Sequence, residues 1–275
     1  MSTTYNYVHY DRDRMRSCIY GLAVGDALGV PYEFSVRGTF KCTGMVGNGT
    51  HRQSAGTWSD DTSMALCICS SIKRLGYIDT ADIAYMFRQW LEHGDYTCDG
   101  RVFDVGMTCE RAISTGVPGK SYDECGNGSL MRTAPLAMLD DFDAYKTREV
   151  SAITHAHPVA KWSCAALCDM LQTIRYSGTP AKHVLWRRYG NIAARPAEAV
   201  KSDGYCEHTL EAALWCFLNT GSYAGCVLKA VNLGGDTDTT AAVAGALAGV
   251  YYGFEAIPPK WIGQLRGKAV IEQCI

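Results

Sequence analysis

The segment Gly234–Gly249, GGDTDTTAAVAGALAG, is the basis of the fold that we expect for this chain. It begins with two glycines, continues with two acids and three threonines, and ends in a run of very small apolar residues. Alanine favours helix, and Gly245 and Gly249 would let another backbone approach closely. One capping oxygen at the start of such a helix is ordinary. Two carboxylates there are like charges, which are stable together only when a cation or a proton compensates them.

The side chains that this helix start offers as ligands all carry hard oxygens: Asp236, Thr237, Asp238, Thr239 and Thr240. Such a set favours Mg²⁺ or Mn²⁺ over Zn²⁺. An Asp-rich turn with a solvated cap would have the same composition. This stretch alone therefore leaves a metal site and a simple cap as open alternatives.

A second small-residue helix is predicted over Arg14–Gly29. Gly21, Gly25 and Gly29 recur every four residues, so they lie on one face and admit close backbone contact. A lone acid within such a helix, Asp26, is expected to be a buried hydrogen-bonding partner. The helix ends near Pro31, because proline disfavours helical geometry in the preceding residue. Glu33 then lies in a loop, where functional acids are common.

The arrangement of acids and hydroxyls before a helix recurs at Gly56–Thr62, GTWSDDT, which precedes the apolar helical run Ser63–Ile72. Adjacent Asp60 and Asp61 point in different directions, so they could bind two metal ions, or one metal ion and one water. A helix cap would use at most one of these acids well.

The rest of the chain reads almost entirely as helices, with a long ordered loop over Val36–Gly56. Hardly any segment alternates with period two, and no repeat or linker is found. We therefore predict an all-α fold in a single domain, 1–275, in which acid-bearing loops converge at helix N-termini. The further predicted helices are Ala81–Glu92 (capped by Asp79), Met107–Ser114, Leu130–Leu139, Val159–Tyr176, Pro180–Tyr189, His208–Asn219, Tyr223–Leu233 and a short last helix from Pro258–Pro259.

Composition narrows the class of protein. The 275 residues are 20% charged and 47% hydrophobic, as in a globular protein, and the net charge of −2 gives no reason to expect nucleic acid or an anionic membrane as partner. The longest apolar stretch, Ala241–Phe254, is shorter than the ~20 residues needed to span a bilayer. The N-terminus lacks a signal-peptide core, and the thirteen cysteines show no paired CxxC spacing. We therefore expect reduced core cysteines in a cytoplasmic protein.

Five acids from distant parts of the chain are candidates for one centre: Glu33, Asp60, Asp61, Asp236 and Asp238. Two divalent cations ~3.5–4 Å apart would nearly balance their charge, and would position a water and lower its pKa. This chemistry suits hydrolysis of a phosphoester, an amide or a glycosidic bond, and the acids alone do not choose among these. A Gly-Asn-Gly-Ser turn at 126–129 could bind an anion such as phosphate through its backbone N–H groups. His155 and His157 are expected to contact substrate or to be satisfied turn histidines.

Six segments occur in the order seen in ADP-ribosylglycohydrolases, and the chain resembles that family from about Arg14 to Tyr252: GLAVGDALGVPYEF, GTWSDDTSMAL, FDVG, GNGSLMRTAPLA, THAHP and NLGGDTDTTAAVAGALAG. The resemblance is to the branch with the dinitrogenase-reductase-activating glycohydrolase and the ADP-ribosylarginine hydrolases. It implies an all-α fold and two Mg²⁺ or Mn²⁺ ions. The implied metal ligands are Ser59, Asp60, Asp61, Asp236, Asp238 and Thr239.

The resemblance also implies a substrate and a reaction. The segment holding the ADP-ribose phosphates would comprise Gly126, Asn127, Gly128, Ser129 and Met131. His155 would contact the ligand, and Asp104 would lie at the substrate end of the cleft. The enzyme would remove ADP-ribose from modified protein side chains, with the C1″–N bond to arginine as the favoured target, and Asp61 or Glu33 would assist proton transfer. The alternatives are hydrolysis of another linkage, such as ADP-ribosyl-serine or a free ADP-ribose derivative, and a protein that binds ADP-ribose without turnover.

Overall fold

A computed structural model describes residues 9–275 and confirms the all-α fold. These residues form twelve α-helices, joined by loops and short 3₁₀ turns, and their only β-structure is isolated bridges. No helix within 9–275 has the length and apolar character needed to cross a membrane. The helices are α1 (Arg12–Gly29), α2 (Asp60–Leu75), α3 (Thr80–His93), α4 (Met107–Thr115), α5 (Ala144–Ser151), α6 (Pro158–Ser177), α7 (Ala181–Ala193), α8 (Cys206–Leu218), α9 (Tyr223–Val231), α10 (Thr237–Tyr252), α11 (Pro259–Gln264) and α12 (Lys268–Cys274).

The two small-residue helices, α1 and α10, pack against each other at the centre of the molecule, as their glycines predict. An added Cβ at Gly21 would lie 2.3 Å from the carbonyl oxygen of Gly245, and one at Gly25 would lie 2.1 Å from that of Ala241. Both helices are buried along most of their length. The absence of side chains at this crossing therefore lets the two backbones touch.

The contact between α1 and α10 places the acid-bearing segments together. At the end of α1, Gly29 lies against the first turn of α10, and Thr237 donates a hydrogen bond to the Gly29 carbonyl oxygen (2.8 Å). One turn earlier, Asp26 accepts hydrogen bonds from the Ser59 N–H (2.9 Å) and the Thr62 hydroxyl (2.6 Å). The N-terminal ends of α2 and α10 therefore meet at the C-terminal end of α1. This confirms that Asp26 is a buried hydrogen-bonding partner.

Three sequence predictions are corrected, and one helix was missed. Leu130–Leu139 is not an α-helix but a set of turns with a 3₁₀ segment at Ala134–Met138, because Pro135 lacks an N–H and fits only the first turn of a new segment. Helix α5, capped by Asp143, was not predicted. Helix α7 continues beyond Tyr189, whose backbone is kinked. The helix from Pro259 is not the last, since α12 follows.

The cysteines lie where the sequence predicts. All thirteen fall within the described residues and are free, and all but Cys98 are buried. Most of them belong to one large apolar cluster that includes α1, α2, α6, α8 and α10. The N-terminal segment in which we find no signal-peptide core lies largely outside the described residues.

Candidate active site

A cleft of about 370 Å³ opens where α2 and α10 begin, and it collects most of the predicted site residues. Loops from distant parts of the chain converge there on helix N-termini, as predicted. The predicted residues that line it are Glu33, Asp60, Asp104, Gly126, Asn127, Gly128, Met131, His155, Asp236 and Thr239. Asp61, Asp238, Ser59 and Ser129 are buried and are not part of the lining.

Three aspartates at the cleft, Asp61, Asp236 and Asp238, each keep one buried carboxylate oxygen without a hydrogen-bond partner among the described residues. In Asp61, Oδ2 accepts hydrogen bonds from the hydroxyls of Ser59 (3.0 Å) and Thr239 (3.2 Å), and Oδ1 has no partner. The same holds for Asp236 Oδ1 and Asp238 Oδ2. A desolvated carboxylate oxygen without a partner is costly. These oxygens therefore fit a cation that they would ligate.

The hydrogen bonds at the helix starts argue against a purely capping role. Asp236 is the N-cap residue of α10, yet its side chain makes no capping hydrogen bond. The cap of α2 is Ser59, which accepts from the Asp61 N–H (3.2 Å).

Burial, reinforced by neighbouring acids, raises the pKa values of Asp60, Asp61 and Asp238 well above their ordinary range. Cations would relieve this repulsion, so the donor set fits hard divalent ions.

The carboxylate and imidazole atoms that lie close enough together to bind one metal ion fall into two groups. Asp26, Asp61 and Asp238 form one, and Glu33, His51, Asp104 and Asp238 form the other, with donor atoms within 4.8 Å of one another in each group. In the first group, however, both Asp26 oxygens already accept hydrogen bonds from the start of α2. Asp26 therefore positions the neighbouring acids, and both of its oxygens are engaged in these hydrogen bonds.

His51 is a site residue that the sequence did not reveal. Its Nε2 hydrogen-bonds the Glu33 carboxylate and lies 3.7 Å from Asp104 Oδ1, while Thr50 donates to the Glu33 carbonyl oxygen (2.6 Å). Burial raises the pKa of Glu33 to about 7, and the bond to His51 acts in the opposite direction. A single histidine in a loop without periodicity carries no sequence signal, so only the fold brings it to Glu33.

The Gly126–Ser129 segment borders the cleft and is hydrogen-bonded to one of its acids. The Asn127 amide donates to Asp236 Oδ2 (2.7 Å), and its backbone N–H donates to the Gly204 carbonyl oxygen (3.0 Å). An added Cβ at Gly128 would lie 2.7 Å from Cys109 Sγ. The Ser129 hydroxyl is buried against Ser151 Oγ (3.0 Å), so this residue could meet a ligand only through its main chain.

The two histidines of the THAHP segment have different surroundings. His155 is 2% exposed and borders the cleft, and burial, reinforced by the charge of Arg132, lowers its pKa to about 3. His157 accepts from the Val159 N–H (3.3 Å) at the start of α6 and contacts Cys125 Sγ (3.0 Å). His157 is therefore a satisfied turn histidine, and the pair is not a metal site.

An all-α fold whose helix starts bring together carboxylates with buried, unpartnered oxygens at one cleft defines a candidate metal-dependent hydrolase. Comparison with known proteins agrees with this class. The family model described as ADP-ribosylglycohydrolase matches residues 9–275, and the chain belongs to the ADP-ribosylglycohydrolase family. Members of this family are generally metal-dependent.

Named relatives and a solved structure extend the comparison. The chain is 34% identical to ADP-ribosylarginine hydrolase Tri1 of Pseudomonas putida, over 91% of this chain and 73% of that protein. It is 32% identical to ADP-ribosyl-[dinitrogen reductase] glycohydrolase of Rhodospirillum rubrum, over 92% and 90%. A solved structure titled "ADP-ribosylglycohydrolase-related protein complex" matches with a TM-score of 0.78 and 34% identity, over 96% of each chain. The relatives' names describe hydrolases of a glycosidic bond.

Proposed function

We propose that this protein is a binuclear Mg²⁺- or Mn²⁺-dependent hydrolase that removes ADP-ribose from modified arginine side chains of proteins. The observation that carries the proposal is the set of three aspartates, each with one buried and unpartnered carboxylate oxygen, at a cleft bordered by a glycine-rich segment. The arginine linkage is favoured by the similarity to Tri1, which is named an ADP-ribosylarginine hydrolase.

The residues that would hold the two cations come from both helix starts: Ser59, Asp60, Asp61, Asp236, Asp238 and Thr239. Five of them are buried, Asp236 is half-buried, and all six offer oxygen ligands. When bound, such ions polarise substrate oxygens and lower the pKa of water. The chain's own contribution is rigid placement, because Asp26 fixes the start of α2 and Gly29 fixes that of α10.

Glu33 is the better placed of the two candidate residues for proton transfer. It lines the cleft, and burial brings its pKa to about 7, so it can accept and return a proton near neutral pH. Asp61 is buried under the cleft, with Oδ2 engaged by Ser59 and Thr239. We therefore assign Asp61 to metal binding and Glu33 to proton transfer at the glycosidic bond.

The lining of the cleft offers two kinds of contact that suit the two parts of the substrate. Gly126, Asn127, Gly128 and Met131 line the cleft together with neutral His155, and these residues would hold the phosphates of ADP-ribose. The acid Asp104 also lines the cleft, and its carboxylate would complement a guanidinium. Cleavage of the bond between the two parts would release free ADP-ribose and unmodified arginine.

The test is release of ADP-ribose from arginine-linked and serine-linked protein substrates, assayed side by side with Mg²⁺, with Mn²⁺ and with excess chelator. We expect metal-dependent turnover of the arginine-linked substrate. Faster turnover of the serine-linked substrate would move the proposal to another linkage. Tight ADP-ribose binding without release from either substrate would identify a binding protein, and full activity in chelator would exclude the metal mechanism.

We further propose that residues 1–275 form one domain and that the protein is cytoplasmic. One large buried cluster containing residues of α1, α2, α6, α8 and α10 supports the single domain. Thirteen free cysteines support a reducing compartment. The proposed partner is an ADP-ribosylated protein, and neither nucleic acid nor a membrane is part of the proposal.

A further inference from the structure

Arg132 has a fully buried guanidinium group that takes no part in the reaction proposed above. It is 0% exposed, it takes part in none of the ion pairs among residues 9–275, and its Nε has no hydrogen-bond partner there. Its guanidinium lies over the ring of Phe87, 4.6 Å from the centroid. Burying a charge in this way is expensive unless its remaining hydrogen bonds serve a purpose.

Those remaining hydrogen bonds reach both sides of the segment that borders the cleft. Nη1 donates to the Gly128 carbonyl oxygen (2.5 Å), and Nη2 donates to the Thr154 hydroxyl oxygen (2.7 Å). The same hydroxyl lies 2.8 Å from Nδ1 of His155. Arg132, Thr154 and His155 thus form a continuous hydrogen-bonded chain that ends at the cleft.

The direction of each hydrogen bond in this chain follows from the donors available. Arginine has donors only, so the Thr154 oxygen must accept from Arg132. The hydroxyl proton of Thr154 then needs an acceptor, and His155 Nδ1, at 2.8 Å, is a stronger one than the nearby Cys109 sulfur, which is a weak acceptor. If Nδ1 carried a proton of its own, two protons would compete for this contact.

We infer that Arg132 and Thr154 are positioning residues that hold His155 in its neutral form with the proton on Nε2. The inference rests on the proposed function only for the identity of the ligand that this N–H group would contact. Nε2 makes no hydrogen bond to a described residue, and it lies 3.7 Å from the Cβ position built on Gly126 and 3.6 Å from that on Gly128. It therefore presents an N–H donor to an anion bound at Gly126–Ser129.

The same arginine also sets the shape of the segment. Its bond to the Gly128 carbonyl oxygen directs that oxygen into the protein, away from the cleft. An anion would otherwise meet a repulsive carbonyl dipole at this position. Arg132 thus serves anion binding without touching the ligand, which is why we place it among the positioning residues.

The decisive measurement is the ¹⁵N spectrum of the His155 ring in the metal-loaded protein without substrate, at neutral pH. We expect the neutral tautomer with the proton on Nε2. Thr154→Val removes the hydroxyl at nearly constant volume and should release this preference, so that the Nδ1–H tautomer becomes populated. Thr154→Ser keeps the hydroxyl and should restore the wild-type spectrum.

Binding of ADP-ribose and of inorganic pyrophosphate gives the second readout. Thr154→Val should weaken ADP-ribose binding about tenfold, and Thr154→Ser should leave it close to wild type. Turnover should then show a raised KM with a nearly unchanged kcat. A merely structural role for Thr154 would instead lower the melting temperature without changing the tautomer.

Two results would overturn the inference: an Nδ1–H tautomer or a charged ring in the wild-type protein, or Thr154→Val with an unchanged spectrum and unchanged affinity. Failure of the proposed function looks different. A wild-type protein that binds no ADP-ribose, yet shows the Nε2–H tautomer and loses it in Thr154→Val, would refute the substrate and leave the hydrogen-bonded chain confirmed.

Discussion

Gly25→Ala tests whether the contact between α1 and α10 builds the active site. The new Cβ would lie 2.1 Å from the carbonyl oxygen of Ala241 and 2.6 Å from its carbonyl carbon. Carbon and carbonyl oxygen need roughly 3.3 Å. Both obstructing atoms belong to the main chain and cannot rotate away. The two helices must therefore move apart by about 1 Å at this point.

The effect on stability combines two terms of opposite sign. Inserting a methyl group into a filled core costs typically ~1–3 kcal/mol and sometimes more, and the rigid backbone here favours the upper part of that range or beyond. Replacing glycine by alanine within a helix returns up to ~1 kcal/mol. We expect the free energy of unfolding to fall by about 2–3 kcal/mol.

The effect on activity should be larger, because the same displacement moves the acids of α10 away from those of α2. Asp236 and Asp238 lie at the start of α10, within two turns of Ala241. A misplacement of about 1 Å in a catalytic centre can cost roughly 100-fold in rate. We therefore expect loss of turnover in a protein that is still folded.

The assays are urea unfolding and release of ADP-ribose, with Gly263→Ala as the matched control. Gly263 also lies in a helix, α11, but an added Cβ there meets no atom within 4 Å. The control should equal wild type or be slightly more stable. If Gly25→Ala unfolds within about 0.5 kcal/mol of wild type and turns over normally, the close contact does not organise the site.

The remaining predictions concern the buried acids. Asp61→Asn and Asp236→Asn should abolish turnover and yet leave the metal-free melting temperature equal or higher, because each removes a repelling charge; normal turnover in both would contradict metal ligation. Asp26→Asn should instead lower the free energy of unfolding by about 2–3 kcal/mol, because an amide NH₂ would face the donors of Ser59 and Thr62; unchanged urea unfolding would remove its positioning role. Burial raises the pKa of Glu33 from 4.5 to about 7 and that of Asp26 from 3.8 to about 6. Both carboxyl groups therefore stay protonated to a higher pH in the folded state than in the unfolded state. The metal-free protein should therefore lose stability as the pH rises from 5 to 8, and a melting temperature that rises over this range would have the wrong sign.

Several features of the site could be predicted because they recur as local patterns. Gly21 and Gly25 in α1 are four residues apart, as are Gly245 and Gly249 in α10, and this spacing places each pair on one face of its helix. Close packing of the two helices follows from it. Acids and hydroxyls ahead of an apolar run mark the starts of α2 and α10. The same patterns fail where proline occurs inside an apolar run, as at Leu130–Leu139, where the structure has turns instead of the predicted helix.

The helical class, the buried free cysteines and the oxygen-rich helix starts could be predicted from the chain alone, because each depends on sequence neighbours or on composition. The contact of His51 with Glu33, the hold of Asp26 on the start of α2, and the path from Arg132 to His155 through Thr154 emerge only in the folded molecule. These contacts join residues far apart in sequence, or depend on which way a single buried side chain points. Periodicity and spacing carry no information about either, since both are set by how whole helices pack.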